Sequence, residues 1–154
     1  MSIEHVSVGG DLILYDSART DAPAAEWFSP EYWQARHKVV ARGGGRGSAL
    51  FIRDDTRYWV LRHYLRGGMA AWLFRDQYWW TGVERSRAFR EFRLLHALRL
   101  QGLPVPTAVA ARVRRSGFFY RADLLTEAEF SRFRPRPDSG ADHRAIPAPV
   151  RPSA

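Results

Sequence analysis

The residues that invite a chemical reading are few. Gly43-Gly44-Gly45-Arg46-Gly47-Ser48 places four glycines within five positions, between two strand-like stretches. A backbone without side chains can approach a ligand closely and aim several amide groups at one anion. Arg62 follows in the apolar stretch Tyr58-Trp59-Val60-Leu61, and Glu91 lies further on in a stretch rich in arginine and leucine. A guanidinium can fork onto phosphate oxygens, and a carboxylate can hold that guanidinium in place. The chemistry these residue types would perform together is phosphate binding. Taken alone, the glycine run reads as an ordinary flexible turn.

The elements that must position them can be read from patterning. Asp11 to Tyr15 is a short apolar run suited to a strand. Ser29-Pro30-Glu31 reads as a helix start, with Ser29 as cap and Pro30 at the first helical position. Val39-Val40-Ala41 and Ala49-Leu50-Phe51-Ile52 are strand-like, and Asp54-Asp55-Thr56 turns the chain into Tyr58-Trp59-Val60-Leu61. This predicts a three-stranded antiparallel meander with the glycines at its first connection. Gly67-Gly68 closes the third strand, and an aromatic stretch runs over 72–80. Residues 84–101 contain no glycine or proline and stop at Gly102, with Pro104 just beyond, which predicts the principal helix. Val105 to Val113 and Phe118 to Leu125 then predict a hairpin around Ser116-Gly117.

Bulk properties set the frame. The chain of 154 residues has room for one domain with a core, and the absence of cysteine excludes a disulfide framework or a thiolate metal site. No stretch approaches the roughly eighteen apolar residues of a membrane span, and the start carries no basic stretch followed by an apolar one. Neither insertion nor secretion is expected, and the cytoplasm is the expected compartment. The net charge is +8, and Lys38 is the single lysine beside 23 arginines. That favours anionic partners, although a GC-rich genome would produce the same arginine bias. From Ser131 onward the sequence turns to arginine, proline and alanine, which predicts a disordered tail over 128–154 after a folded unit over 1–127.

On a helical wheel Ala88, Glu91, Phe92, Leu95 and Leu98 share one face. A carboxylate within an apolar stripe needs a cation. Arg62 from the third strand is one candidate, and Arg87, one helical turn away, is the other. The order of parts is a glycine-rich hairpin, a basic residue on the third strand, an acid on the next helix, then two more strands. That is the layout of a protein-kinase N-terminal lobe, an α+β unit of about five antiparallel strands and one principal helix. Arg62 stands where protein kinases have lysine, and the glycine spacing departs from the kinase pattern.

Longer phrases are more specific. Gly45-Arg46-Gly47, Leu61-Arg62-His63-Tyr64 with Arg66-Gly67-Gly68, Arg87-Ala88-Phe89-Arg90-Glu91-Phe92, Gly102-Leu103-Pro104-Val105-Pro106 and Tyr120-Arg121-Ala122-Asp123-Leu124-Leu125-Thr126-Glu127 together resemble the 3-deoxy-D-manno-octulosonic acid (Kdo) kinase family. The resemblance covers roughly Asp11 to Glu127. It implies an ATP-dependent kinase that phosphorylates a Kdo hydroxyl on a lipid A precursor during lipopolysaccharide inner-core synthesis. It also implies a peripheral place at the cytoplasmic face of the inner membrane, with magnesium as the metal. By the same resemblance, Gly43, Gly44, Gly45, Arg46, Gly47, Ser48, Arg62 and Glu91 line the nucleotide site. Glu127 then falls at or near the hinge that contacts adenine through its backbone.

Kinase chemistry also needs an aspartate to orient and deprotonate the hydroxyl, an asparagine for metal, and a second aspartate for magnesium. The sequence contains no asparagine, no His-x-Asp and no Asp-Phe-Gly, and the acids beyond Glu127 are Glu129, Asp138 and Asp142. The expectation is therefore a catalytically incomplete lobe with no magnesium ligands, whose tail is the product of a frameshift or truncation. A genuine short protein with a basic tail is the alternative. The aromatics Trp72, Tyr78, Trp79 and Trp80 could pack in the core and between lobes, or touch lipid headgroups or the sugar substrate. His5, His37, His63, His96 and His143 lack metal-ligand spacing and receive no catalytic role. A different class of reading is a small basic module for nucleic acid or anionic membrane, whose binding would weaken steeply with salt.

Overall fold

The computed structural model describes residues 3–43, 48–64, 78–79 and 81–128. Gly44 to Gly47, most of the aromatic stretch over 72–80, and the expected tail from residue 129 lie outside the described residues.

Strand β1 (Ile3–Val8) and strand β2 (Asp11–Asp16) form a hairpin, then a 3-10 turn (Ala25–Phe28) leads into helix α1 (Pro30–Ala35). Strands β3 (Val39–Gly43), β4 (Ser48–Asp54) and β5 (Arg57–His63) make the expected antiparallel meander. A short strand β6 (Tyr78–Trp79), a 3-10 turn (Val83–Arg85) and helix α2 (Arg87–Leu100) follow, before strands β7 (Ala108–Ser116) and β8 (Phe119–Glu127). The sheet order is β1-β2-β7-β8-β5-β4-β3, with β6 paired to β8. Five of these strands, β3-β4-β5-β8-β7, and α2 are the α+β lobe that the sequence predicts. The strand count is higher than about five because the N-terminal hairpin extends the β7 edge and β6 adds a short partner to β8.

Strand β8 is central, and its sequence shows why. Ala122 and Leu124 are buried toward α2 while Asp123 and Leu125 are buried on the other side, so both faces are covered. On the first face α2 packs Ala88, Phe89, Phe92 and Leu95 against Leu14, Ala111, Val113 and Leu124. On the second face Phe28 and Trp33 cover Ile13, Ile52, Trp59 and Leu61. Trp27 and Trp59 have ring centroids 5.4 Å apart, and the Trp33 indole donates to the Trp27 carbonyl at 2.7 Å. The sheet is thus a middle layer between two different covers.

Helix α2 starts three residues later than its pattern predicts. Ser86 holds an extended backbone, φ −61° and ψ 145°, that separates the 3-10 turn from the helix. The Ser86 side chain makes no capping bond; the Tyr120 hydroxyl instead accepts the Arg87 amide hydrogen at 3.1 Å. The helix ends where predicted. Gly102, at φ +77°, lets its own amide reach Arg99 O at 3.0 Å and the Leu103 amide reach Leu98 O at 3.1 Å. These two bonds are a Schellman closure, which needs a left-handed residue at that position.

Candidate phosphate-binding site on the helix-covered face

Residues on β5 alternate between the two faces of the sheet. Leu61 joins the core beneath Phe28 and Trp33, whereas Arg62 emerges on the α2 side. One cross-strand row crosses that side: Gly43 lies opposite Ala49, Ala49 opposite Arg62, and Arg62 opposite Leu124. The small residues at the near end of this row keep the sheet surface low beside Arg62. A β-carbon on Gly43 would come within 3.0 Å of the Ala49 side chain, so the close approach of β3 to β4 there favours glycine. Two strand spacings put the start of the glycine run about 10 Å from Arg62, the scale of a polyphosphate chain.

Helix α2 supplies the acid. The Arg62 guanidinium donates through Nη2 to Glu91 Oε1 at 2.6 Å, across 29 residues of sequence. The second carboxylate oxygen, Oε2, accepts the Tyr64 hydroxyl at 2.5 Å. Both oxygens are therefore engaged from the same strand direction, by residues two positions apart. Burial, reinforced by the bond to Glu91, pushes the Tyr64 phenol far above its ordinary value. The Arg87 guanidinium lies 5.4 Å from the Tyr64 ring centroid. Glu91 is 29% exposed, at the edge of the apolar stripe, and Arg62 is 41% exposed. The stripe itself is rotated toward Phe89, which is buried and was absent from the helical-wheel face. Of the two cations that the sequence leaves open for Glu91, the fold selects Arg62.

The expected site residues separate into three groups. Arg62 and Glu91 are bonded to each other, and Gly43 lies two strands from Arg62 in the same cross-strand row. Ser48 begins β4 opposite His63, while Gly44, Gly45, Arg46 and Gly47 lie outside the described residues. Glu127 does not join them. It closes β8 opposite Trp59, its carboxylate lies 3.7 Å from Arg19, and its amide donates to Thr107 O at 2.8 Å.

Two features were not singled out from the sequence. Tyr64 is one, and its signal was available, because residues i and i+2 on a strand share a face. The other is a charged network on the opposite face. Arg112 donates to Asp123 Oδ2 through Nε at 2.8 Å and Nη2 at 2.6 Å, and His63 Nδ1 lies 2.6 Å from Asp123 Oδ1. Arg114 holds the fully buried Asp11 at 2.5 and 2.9 Å. A cavity of about 680 Å³ opens beside this network, lined by Phe28, Arg42, Leu50, His63 and Arg112. It lies across the sheet from the Arg62–Glu91 pair.

Among the described residues no three His, Asp or Glu side chains converge on a metal position. Both oxygens of Glu91 are engaged by Arg62 and Tyr64. No helix among the described residues is long and apolar enough to cross a membrane.

No solved structure matches the chain. Several named proteins do. It is 50% identical over 115 residues to a 3-deoxy-D-manno-octulosonic acid kinase of Stenotrophomonas maltophilia, covering 75% of this chain and 46% of that protein. It is 43% identical over 125 residues to the Vibrio vulnificus protein of the same name, covering 81% of this chain and 53% of that protein. The corresponding Xanthomonas axonopodis protein is 47% identical over 119 residues, covering 77% and 47%. The chain spans about half the length of these curated relatives. The family model of the lipopolysaccharide kinases matches residues 30–131, the stretch that runs from α1 past the end of β8 and holds both Arg62 and Glu91. By that match and those identities, the chain belongs to the lipopolysaccharide kinase (Kdo/WaaP) family.

Proposed function

We propose that this chain is the nucleotide-holding lobe of an ATP-dependent Kdo kinase, acting on a Kdo sugar of a lipid A precursor. The observation that carries this reading is the Arg62–Glu91 pair at 2.6 Å, formed on the same sheet face as Gly43. ATP supplies the γ-phosphoryl group, which passes to a sugar hydroxyl with loss of that hydroxyl's proton and release of ADP. Arg62 presents a guanidinium with five N–H donors, of which Glu91 engages one. The others serve phosphate oxygens, while Glu91 and Tyr64 fix the direction in which the fork points. The sequence contains no asparagine and no His-x-Asp, so the part this chain plays in the reaction is to hold the nucleotide rather than to orient the hydroxyl or hold magnesium. The setting is the inner face of the inner membrane, in lipopolysaccharide inner-core synthesis.

The test is calorimetric titration of the purified chain with ATP and with adenosine. Charge-assisted hydrogen bonds contribute about 1.5–3 kcal/mol, so Arg62→Ala should weaken ATP binding by at least roughly tenfold. Adenosine binding should change little. Equal losses for both ligands, or none for ATP, would remove Arg62 from the phosphate site. Sustained phosphorylation of Kdo-lipid A precursor by this chain alone would show that the catalytic groups are present after all.

A further inference from the structure

The hairpin joining β7 to β8 presents an aromatic side chain to solvent in a basic setting. Phe118 is 76% exposed, the highest value among the exposed large apolar groups of the described residues. It sits in the turn Gly117-Phe118 between two strands of nine residues each, paired residue by residue from Ala110 and Leu125 up to Ser116 and Phe119. Arg115 clamps that turn by donating from Nε to Gly117 O at 3.0 Å. The phenyl ring is therefore held out by a hydrogen-bonded hairpin.

Its neighbours are cationic. Residues 114–121 read Arg-Arg-Ser-Gly-Phe-Phe-Tyr-Arg, with three arginines and no acid. Arg114 and Arg121 stand directly opposite each other across the hairpin, an arrangement of like charges that weakens a strand pair. Asp11, fully buried, binds Arg114 from β2, yet the Arg114 side chain remains 51% exposed. Val8, at the end of β1 beside the same edge, adds a second exposed apolar group at 38%.

We infer that this hairpin tip is a docking surface for an anionic lipid bilayer. A narrow convex tip with one apolar ring ahead of a collar of guanidiniums matches the bilayer interface, where the ring enters the acyl boundary and the cations meet headgroup phosphates. A nucleic acid would call for an open groove or a flat stacking face, which a two-residue turn does not provide. Strand register places the tip at a meaningful end of the sheet. Ser48 lies opposite His63 and His63 opposite Asp123, so the tip projects past the end that carries the β3–β4 glycine connection. Docking by the tip would bring that end toward the lipid-borne substrate of the proposed function, and this consequence alone rests on that reading. The inference does not depend on the nucleotide reading.

The test is co-flotation of the full chain with vesicles of phosphatidylcholine, with or without 30% phosphatidylglycerol. Each arginine near an anionic leaflet strengthens binding roughly fivefold, so Arg115→Ser should lower anionic-vesicle binding by about that factor. Phe118→Ser, at an exposed position, should lower it further while leaving the melting temperature unchanged. The chain contains no cysteine, so an environment-sensitive dye can be placed on Ser116→Cys at the tip or on Thr56→Cys at the opposite end of the sheet. The tip probe should shift to the blue on anionic vesicles and the distal probe should not. Unchanged flotation of both tip variants, or equal shifts from both probes, would overturn the inference by assigning binding to other arginines. A tip-probe shift on duplex DNA, with none on vesicles, would overturn it in favour of nucleic acid.

Discussion

Glu91 has two carboxylate oxygens, and the fold uses each for a different residue of one strand end. Arg62 takes Oε1 and Tyr64 takes Oε2. The consequence for Tyr64 can be read through its phenol. Burial and donation to Glu91 raise its folded pKa well above 10.0. A group raised in the folded state contributes stability that is complete below its unfolded pKa and is lost as pH climbs beyond it. The stability gap between wild type and Tyr64→Phe should therefore be constant below about pH 10 and shrink above it. Urea denaturation across that range checks the sign. Absorbance at 295 nm should show Tyr64 ionising only as the protein unfolds. A gap that widens with alkali would mean that Tyr64 is not held by Glu91.

At the scale of elements, α2 is the part that brings Glu91 to the sheet, and its two ends are fixed differently. Its C-terminus is closed locally by Gly102, whereas its first amide depends on the Tyr120 hydroxyl from β8, 33 residues away. Removing that acceptor should cost about 1 kcal/mol, as for a lost N-cap. Tyr120→Phe should thus lower the melting temperature by a few degrees and reduce ATP affinity slightly, with helical circular dichroism preserved. An unchanged melting temperature would show that water replaces the hydroxyl without loss. The C-terminal closure was legible because glycine and proline act on their own neighbours. The N-terminal one was not, since nothing near Ser86 announces a tyrosine from another strand.

At the scale of the whole molecule, a charged network around two buried aspartates joins four neighbouring strands. Asp11 of β2, Arg112 and Arg114 of β7, Asp123 of β8 and His63 of β5 are linked in sequence. Asp123 is 2% exposed and Arg112 is 13% exposed, so solvent does little to replace a lost partner. Asp123→Ala should cost about 3–5 kcal/mol, because it strands a buried guanidinium. Joint replacement of Arg112 and Asp123 by leucine should cost much less. Urea midpoints of the single and double variants decide the point, and equal losses would show that the network acts only through packing. The same sheet separates two clusters: Arg62 looks toward α2, and its neighbour His63 looks into this network.

What the sequence determined by itself was local or carried in phrases. Strand alternation, the Gly102 stop and the hairpin at Ser116-Gly117 follow from neighbours a few residues apart, and the family phrases identify the lobe. Even the pairing of Glu91 with a cation was required by its place on an amphipathic helix. The choice of Arg62 over Arg87, the second bond from Tyr64 and the Asp11–Arg114 contact were decided by tertiary structure. Those partners are 29, 27 and 103 residues apart. Contacts at such separations depend on strand register and on which face of the sheet a helix covers, and neither is encoded in the spacing of residues along the chain.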